Sequence, residues 1–305
     1  MSSALQNERI AVLAGGPSCE REISLLSGRN VAEALRSKGI EPVWVDAVGD
    51  FMAQLKHEKI TLAFIALHGT FGEDGTVQRL LEKEGILYTG PGPRASELAF
   101  DKSLSQDVFK KQGIRVPDFR VYKAIAEAPD RPVFEGPIVV KPTKSGSSVG
   151  VTIVTQTGAY RPALEEAFRY SDAVLVEKFI PGRELTVGIL GEKALPIVEV
   201  IPKKQFYDYE AKYGDAGTRY EVPARLSETE ARKVREEALK AYHALGCRML
   251  SRVDLILTPE GEAAVLEINT IPGLTSKSLL PKAAREAGID FPDLCVKILA
   301  MVNHG

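Results

Sequence analysis

The sequence predicts an α/β unit with a Rossmann-like parallel sheet at its N-terminal end, followed by a strand-richer body in two further units. Three observations predict it. Short apolar runs alternate with helical stretches over the first ninety residues, the pattern of a parallel sheet. A rigid TGPGPR stretch at 89–94 then interrupts that pattern. Beyond a second break, IPG at 180–182, strand-like runs predominate. A chain of 305 residues accommodates two or three such units. The expected boundaries are 1–95, 96–182 and 183–305.

The elements follow in order. Residues 10–14 form an apolar run stopped by Gly15 and Gly16, which reads as a buried strand entering a loop. A helix is expected to run to Lys38 and stop at Gly39. Residues 41–46 and 62–67 are the second and third strands. In parallel sheets functional residues sit at the strands' carboxyl ends, where Gly15, Gly16 and His68 fall. A helix is expected over 96–112, and strands over 138–141, 151–155 and 173–179, with a Gly/Ser-rich loop, SGSSVG, at 145–150. Strands at 184–190 and 194–201 precede a polar, tyrosine-rich loop at 203–221. Ser227 and Glu230 have capping-box spacing for a helix with apolar positions Ala231, Val234, Ala238, Ala241 and Leu245, stopping at Gly246.

Lys plus Arg total 39 and Asp plus Glu 41, so a net charge of −2 gives no bulk basic field for nucleic acid. No apolar run reaches membrane-spanning length, and residues 1–9 lack an apolar signal core. Three cysteines, Cys19, Cys247 and Cys295, show no metal or redox spacing, which points to a reducing cytoplasm.

The most informative stretch is RVDLIL at 252–257, a TPEG turn at 258–261, and AAVLEIN at 263–269. It reads as a hairpin. A register symmetric about the turn sets Asp254 opposite Glu267 and Arg252 opposite Asn269, with Val253, Leu255, Leu266 and Ile268 toward the core. Two opposed carboxylates repel one another unless a cation lies between them. Asp, Glu and Asn together are an all-oxygen set suited to magnesium completed by phosphate and water. Two solvated carboxylates on an exposed face are the alternative.

Lys141 ends an apolar strand and Lys102 opens a helix. Phosphate binding and surface snorkelling are the two readings of such lysines. The loop containing Gly146, Ser147, Ser148 and Gly150 can offer N–H groups and hydroxyls to a triphosphate. No Walker motif is present. The charged stretch EKFIPGRE at 177–184 lies at the second break, where a crevice could hold a nucleotide, although taken alone it reads more readily as a charged turn.

In this order the pieces resemble the D-alanine–D-alanine ligase family of the ATP-grasp superfamily, over residues 10–299. The resemblance rests on AGGPSCEREIS (14–24), IALHG (65–69), GEDG (72–75), YTG (88–90), DK (101–102), VKP (140–142), GSSVG (146–150), YDYEAKY (207–213), RVD (252–254) and EINTIPGLTS (267–276). It implies a pre-ATP-grasp N-terminal domain followed by a two-subdomain ATP-grasp fold. It implies ATP as substrate, two magnesium (or manganese) ions per site and a homodimer, with D-alanine as the other substrate.

Position by position, the resemblance implies that Lys102 and Lys141 hold phosphates. Glu177 would bind the adenine amino group beside the Lys178 and Ile180 backbone, and Glu184 the ribose. Asp254, Glu267 and Asn269 would hold metal. Glu20 would bind the first substrate's ammonium, and Arg252 with the Gly273 N–H would face the oxyanion. Ser278 and Leu279 would hold the second carboxylate. Lys212 would reach the γ-phosphate, and Glu20, Ser147 and Tyr213 would form a triad holding a closing loop. His68 is a candidate for the amine proton. Lys277 stands where the family often has His.

A D-alanine–D-lactate ligase is the alternative within the class, and Tyr213 argues for the dipeptide. A nicotinamide oxidoreductase is the remote alternative, since residues 90–95 formally fit G-x-G-x-x-A. Lys141→Ala and Glu267→Ala are each expected to abolish turnover with the fold intact.

Overall fold

The computed structural model describes residues 8–201, 218–275 and 277–302. The N-terminal sheet is wholly parallel. Its order is β2 (Val43–Asp46), β1 (Ile10–Ala14), β3 (Leu62–Ile65) and β4 (Leu87–Tyr88). Between these strands run α1 (Arg21–Ser37), α2 (Phe51–His57) and α3 (Thr76–Lys83). β1 is an unbroken apolar run because both faces are covered. Ile10 and Val12 pack into one core layer, Ala11 and Leu13 into another. The first layer also takes Leu294, Ile298 and Leu299, so the last helices of the chain close over its first strand. α1 ends at Ser37 with Lys38 as its C-cap, and Gly39 follows with a φ of 76°, the left-handed stop its position predicts.

The expected helix over 96–112 is instead two helices, α4 (Pro93–Phe100) and α5 (Lys102–Lys111). Asp101 divides them in an extended conformation. Its carboxylate accepts from the N–H groups of Ser103 and Leu104, so it caps α5 and does not continue α4. Ala95, Ala99 and Phe109 of this pair pack with the third sheet.

The second sheet has the order β5 (Phe119–Tyr122), β8 (Val174–Lys178), β6 (Ile138–Pro142) and β7 (Thr152–Val154), all antiparallel. α6 (Tyr160–Ala167) covers one face through Tyr160, Ala163 and Leu164.

The third sheet runs β12 (Arg219–Glu221), β11 (Val198–Ile201), β9 (Arg183–Leu190), β13 (Leu250–Leu257) and β14 (Ala263–Asn269), with the short β10 (Lys193–Ala194) beside β9. The expected strand over 194–201 is interrupted between β10 and β11, at Leu195–Ile197, where Pro196 has no N–H for a ladder. The tyrosine-rich loop expected to end at 221 ends sooner, because residues 219–221 pair with β11. α7 (Glu228–Ala244) opens with the predicted capping box. Ser227 Oγ accepts from the Glu230 N–H, and the Glu230 carboxylate accepts from the Ser227 N–H. Val234, Ala238 and Ala241 of α7 bury against β9, β13 and β14. The chain closes with α8 (Leu279–Glu286) and α9 (Phe291–Ala300). Among the described residues no helix is long and apolar enough to cross a membrane.

Candidate active site

The site is built on the β13–β14 hairpin. Asp254 pairs with Glu267 and Arg252 with Asn269, as the symmetric register requires. The register then shifts, and Leu255 pairs with Val265. That bulge corrects one expectation. Val265 enters the core in place of Leu266, which is left half-exposed along a cavity wall.

Each of the two carboxylates is held by a basic group. Arg252 donates through Nε and Nη2 to the two Asp254 oxygens, at 2.9 and 2.8 Å. Thr186 Oγ1 donates to Asp254 Oδ1 at 2.5 Å. Lys102 Nζ lies 3.2 Å from Glu267 Oε2 and donates to the Ser145 carbonyl at 2.6 Å. Asn269 Oδ1 accepts from the Ile271 N–H at 3.0 Å. Among the described residues no three His, Cys, Asp or Glu side chains gather as a metal cage. Two carboxylates and an amide oxygen fit a hard cation that draws its remaining ligands from phosphate and water.

A cavity of about 700 Å³ extends from this hairpin between the second and third sheets. Lys141, Ser148, Glu177, Lys178, Ile180 and Glu184 line it. Glu177 faces Val139 across β6 and β8, and Lys141 lies two residues further along that face. The Lys141 ammonium is 2.8 Å from Glu177 Oε2, with side chains only 8 % and 3 % exposed. Gln106 Nε2 donates to the other Glu177 oxygen. The Lys178 and Phe179 N–H groups are taken by the Asp118 and Pro137 carbonyls, which fixes the backbone edge leading to Ile180.

A second cavity of about 370 Å³ adjoins the first along the same hairpin face. Lys102, Ser145, Glu184, Asp254 and Glu267 line both, so the two meet at the opposed carboxylates. Glu20, from the turn before α1, enters the smaller cavity and accepts from Ser147 Oγ. At two positions there an added Cβ would displace the Glu20 carboxylate. A Cβ on Gly69 or Gly146 would fall 2.6 or 2.5 Å from Glu20 Oε2. Ser147 and Ser148 have φ of 53° and 58°, uncommon for non-glycine residues and concentrated in the loop between the cavities.

His68 follows β3 and is 5 % exposed. Its Nε2 is 2.9 Å from Ser27 Oγ, and its Nδ1 is 3.5 Å from Glu73 Oε1. Burial pushes the Glu73 carboxyl above the usual carboxylate range; the nearby Glu20 charge adds, while His68 and the Gly69 N–H oppose. Gly273 closes the other wall, where an added Cβ would meet Ser278 Oγ at 2.8 Å. Ser278 Oγ accepts from the Thr275 N–H at 3.2 Å, and Leu279 starts α8 alongside.

The structure therefore brings together Glu20, His68, Lys102, Lys141, Ser147, Ser148, Glu177, Lys178, Ile180, Glu184, Arg252, Asp254, Glu267, Asn269, Gly273, Ser278 and Leu279 along two joined cavities. Lys212 and Tyr213, and with them most of the expected closing loop, lie outside the described residues. Sequence reasoning missed Thr186, Gln106 and Glu73. Thr186 was findable, since it is two residues from Glu184 on one strand and shares its face. Gln106 carried no signal, because its partner Glu177 is 71 residues away.

A parallel-sheet unit joined to two antiparallel sheets, with a nucleotide-sized cleft between them ending at opposed carboxylates, defines the class: an ATP-grasp ligase. Comparison with known proteins narrows it. Residues 108–300 match the family model described as D-ala D-ala ligase C-terminus, and residues 50–91 the one described as D-ala D-ala ligase N-terminus. The D-alanine–D-alanine ligase of Citrifermentans bemidjiense is 49 % identical over 296 residues, covering 97 % of this chain and 96 % of that one. That of Geobacter sulfurreducens is 48 % identical over 299 residues, covering 97 % and 94 %. Among solved structures, the Bacillus anthracis D-alanine–D-alanine ligase superposes with a TM-score of 0.86 at 35 % identity, covering 97 % of both chains. The VanG D-Ala:D-Ser ligase of Enterococcus faecalis superposes at 0.82 with 29 % identity, covering 98 % of this chain and 100 % of that one. The chain belongs to the D-alanine–D-alanine ligase family.

Proposed function

We propose that this ligase joins two D-alanine molecules into D-alanyl-D-alanine, a peptidoglycan precursor, with ATP converted to ADP and phosphate. The observation that carries the reading is the meeting of the two cavities at Asp254 and Glu267. A nucleotide in the larger cavity would then present its terminal phosphate to a small substrate in the other. The chemistry requires that contact. A carboxylate is a poor electrophile, so the first D-alanine must take the γ-phosphoryl group before an amine can displace it.

In this reading adenine lies along the Lys178 and Ile180 backbone beside Glu177, and Glu184 receives the ribose hydroxyls. Lys102 and Lys141 offset phosphate charge, and Ser148 and its loop cradle the chain of phosphates. Asp254, Glu267 and Asn269 would hold the divalent cations, two magnesium or manganese ions, whose contribution is to neutralise phosphate charge during transfer. Glu20, held by Ser147, binds the ammonium of the first D-alanine. Ser278 and the Leu279 N–H at the start of α8 receive the carboxylate of the second. The second amine attacks the acyl phosphate, a tetrahedral carbon forms, phosphate leaves with its electron pair, and the amine's proton passes to the departing phosphate. Arg252 and the Gly273 N–H face the oxyanion, an interaction of the kind worth about 3 kcal/mol in catalysis. The acyl phosphate hydrolyses if wet, so the reaction needs water kept from the point where the cavities meet. A homodimer in the cytoplasm, divided at residues 95 and 182, completes the proposal.

ADP release measured with D-alanine, L-alanine and D-lactate, with and without magnesium, tests it. Turnover is expected with D-alanine and magnesium only. Release that does not depend on D-alanine would remove the reading, and a mainly D-lactate product near neutral pH would move it to the depsipeptide.

A further inference from the structure

Ser27 lies in the middle of α1 and is wholly buried. It is not part of either cavity's wall, yet its hydroxyl reaches two segments that are. Oγ is 2.9 Å from His68 Nε2, at the end of β3, and accepts from the Leu274 N–H at 3.4 Å. Leu274 directly follows Gly273, whose N–H faces the proposed oxyanion. One side chain thus ties together the helix that begins after Glu20, the ring of His68 and the segment carrying Gly273.

The hydrogen bonds have a single consistent direction in the neutral ring. Glu73 Oε1 accepts from the Gly69 N–H at 3.2 Å, and in an ionised Glu73 that oxygen can only accept. His68 Nδ1, 3.5 Å from the same oxygen, must then carry the ring proton. Nε2 is left as an acceptor, and Ser27 donates to it while its lone pair receives the Leu274 N–H. Both ring nitrogens are therefore committed to protein partners. His68 also lines the smaller cavity, so fixing its ring fixes part of that wall. A second tie reinforces the first, since Ser24 Oγ donates to the Ala66 carbonyl at 2.9 Å.

We infer that Ser27 is a positioning residue for the first-substrate subsite. Its hydroxyl locks His68 in the Nδ1–H tautomer and pins the chain after Gly273, which sets the spacing between Glu20 and the Gly273 N–H across the first D-alanine. This inference rests on the ligase reading above for its kinetic consequence, but not for its tautomer.

The first test is nitrogen NMR of the full chain with labelled imidazoles. Only four histidines are present, and His68→Asn assigns the signal. The expected result is His68 as Nδ1–H near neutral pH; an Nε2–H tautomer overturns the inference. The second test is steady-state kinetics of Ser27→Ala. Loss of a buried hydrogen bond predicts a KM for the first D-alanine raised about tenfold. The KM for ATP is expected to stay unchanged, because the nucleotide cavity does not touch Ser27. Equal or unchanged KM effects for the two substrates overturn it. If Ser27→Ala does not fold, the wild-type tautomer decides. A wild-type chain without D-alanine-dependent ADP release defeats the ligase reading instead, and the tautomer remains measurable.

Discussion

Asp254 and Glu267 face one another across the β13–β14 ladder, and each is held by a different basic residue, Arg252 on one side and Lys102 on the other. In the proposed reading a divalent cation held by Asp254 and Glu267 would offset their charge, leaving Lys102 for phosphate and Arg252 for the oxyanion. Glu267→Gln keeps the shape and removes the charge. It is expected to lower kcat by roughly 100-fold or more and to raise the magnesium concentration needed for half-maximal rate. A magnesium titration of ADP release checks this, and an unchanged titration midpoint would remove Glu267 from the cation site.

Lys141 and Glu177 form a buried pair, and this alters what the sequence suggested for Lys141→Ala. Removing one member leaves a desolvated charge, which typically costs about 3–5 kcal/mol. Lys141→Ala is therefore expected to lose both turnover and stability. Lys141→Met combined with Glu177→Gln is expected to recover most of the stability and none of the activity. Chemical denaturation of the two variants beside the parent chain checks the order; a fully stable single variant would contradict the pairing.

Gly146 passes so close to Glu20 that a methyl group has no room. Gly146→Ala must push the Glu20 carboxylate out of place and disturb its bond from Ser147. The expected result is a rise of about tenfold or more in KM for the first D-alanine, with a smaller change for ATP. Initial-rate kinetics at varied D-alanine measure it.

Glu73 gives a pH dependence with a definite sign. Burial raises its folded-state pKa above the unfolded value of about 4.3. Its contribution to stability is fully present below that unfolded value and is lost as pH rises through the raised folded one. In Glu73→Gln nothing titrates, while the side-chain oxygen still accepts from Gly69 and His68. Thermal unfolding across mildly acidic to neutral pH is expected to decline in the wild type relative to the variant. Parallel curves would contradict a buried, protonation-linked Glu73.

Much of this site was legible in the sequence because its chemistry sits at points of local regularity. The Asp254–Glu267 pairing followed from counting outward from a turn. The capping box at Ser227 and Glu230 and the stops at Gly39 and Gly246 are likewise local. What escaped was nonlocal or depended on one backbone irregularity. The bulge after Asp254 exchanged Leu266 for Val265, and no residue type announces it. Asp101 reads as one more helical residue until its carboxylate is seen capping α5. Gln106 and Ser27 matter through distant partners, among them Glu177, 71 residues from Gln106, and Leu274, 247 residues from Ser27.

The central claim is that the first D-alanine is activated by direct transfer of phosphate to its carboxylate where the two cavities meet. D-alanine labelled with ¹⁸O in the carboxylate tests it most directly, by mass spectrometry of the released phosphate. Transfer to an acyl phosphate followed by amine attack must leave one labelled carboxylate oxygen in each phosphate formed. Unlabelled phosphate accompanying dipeptide formation would contradict the account.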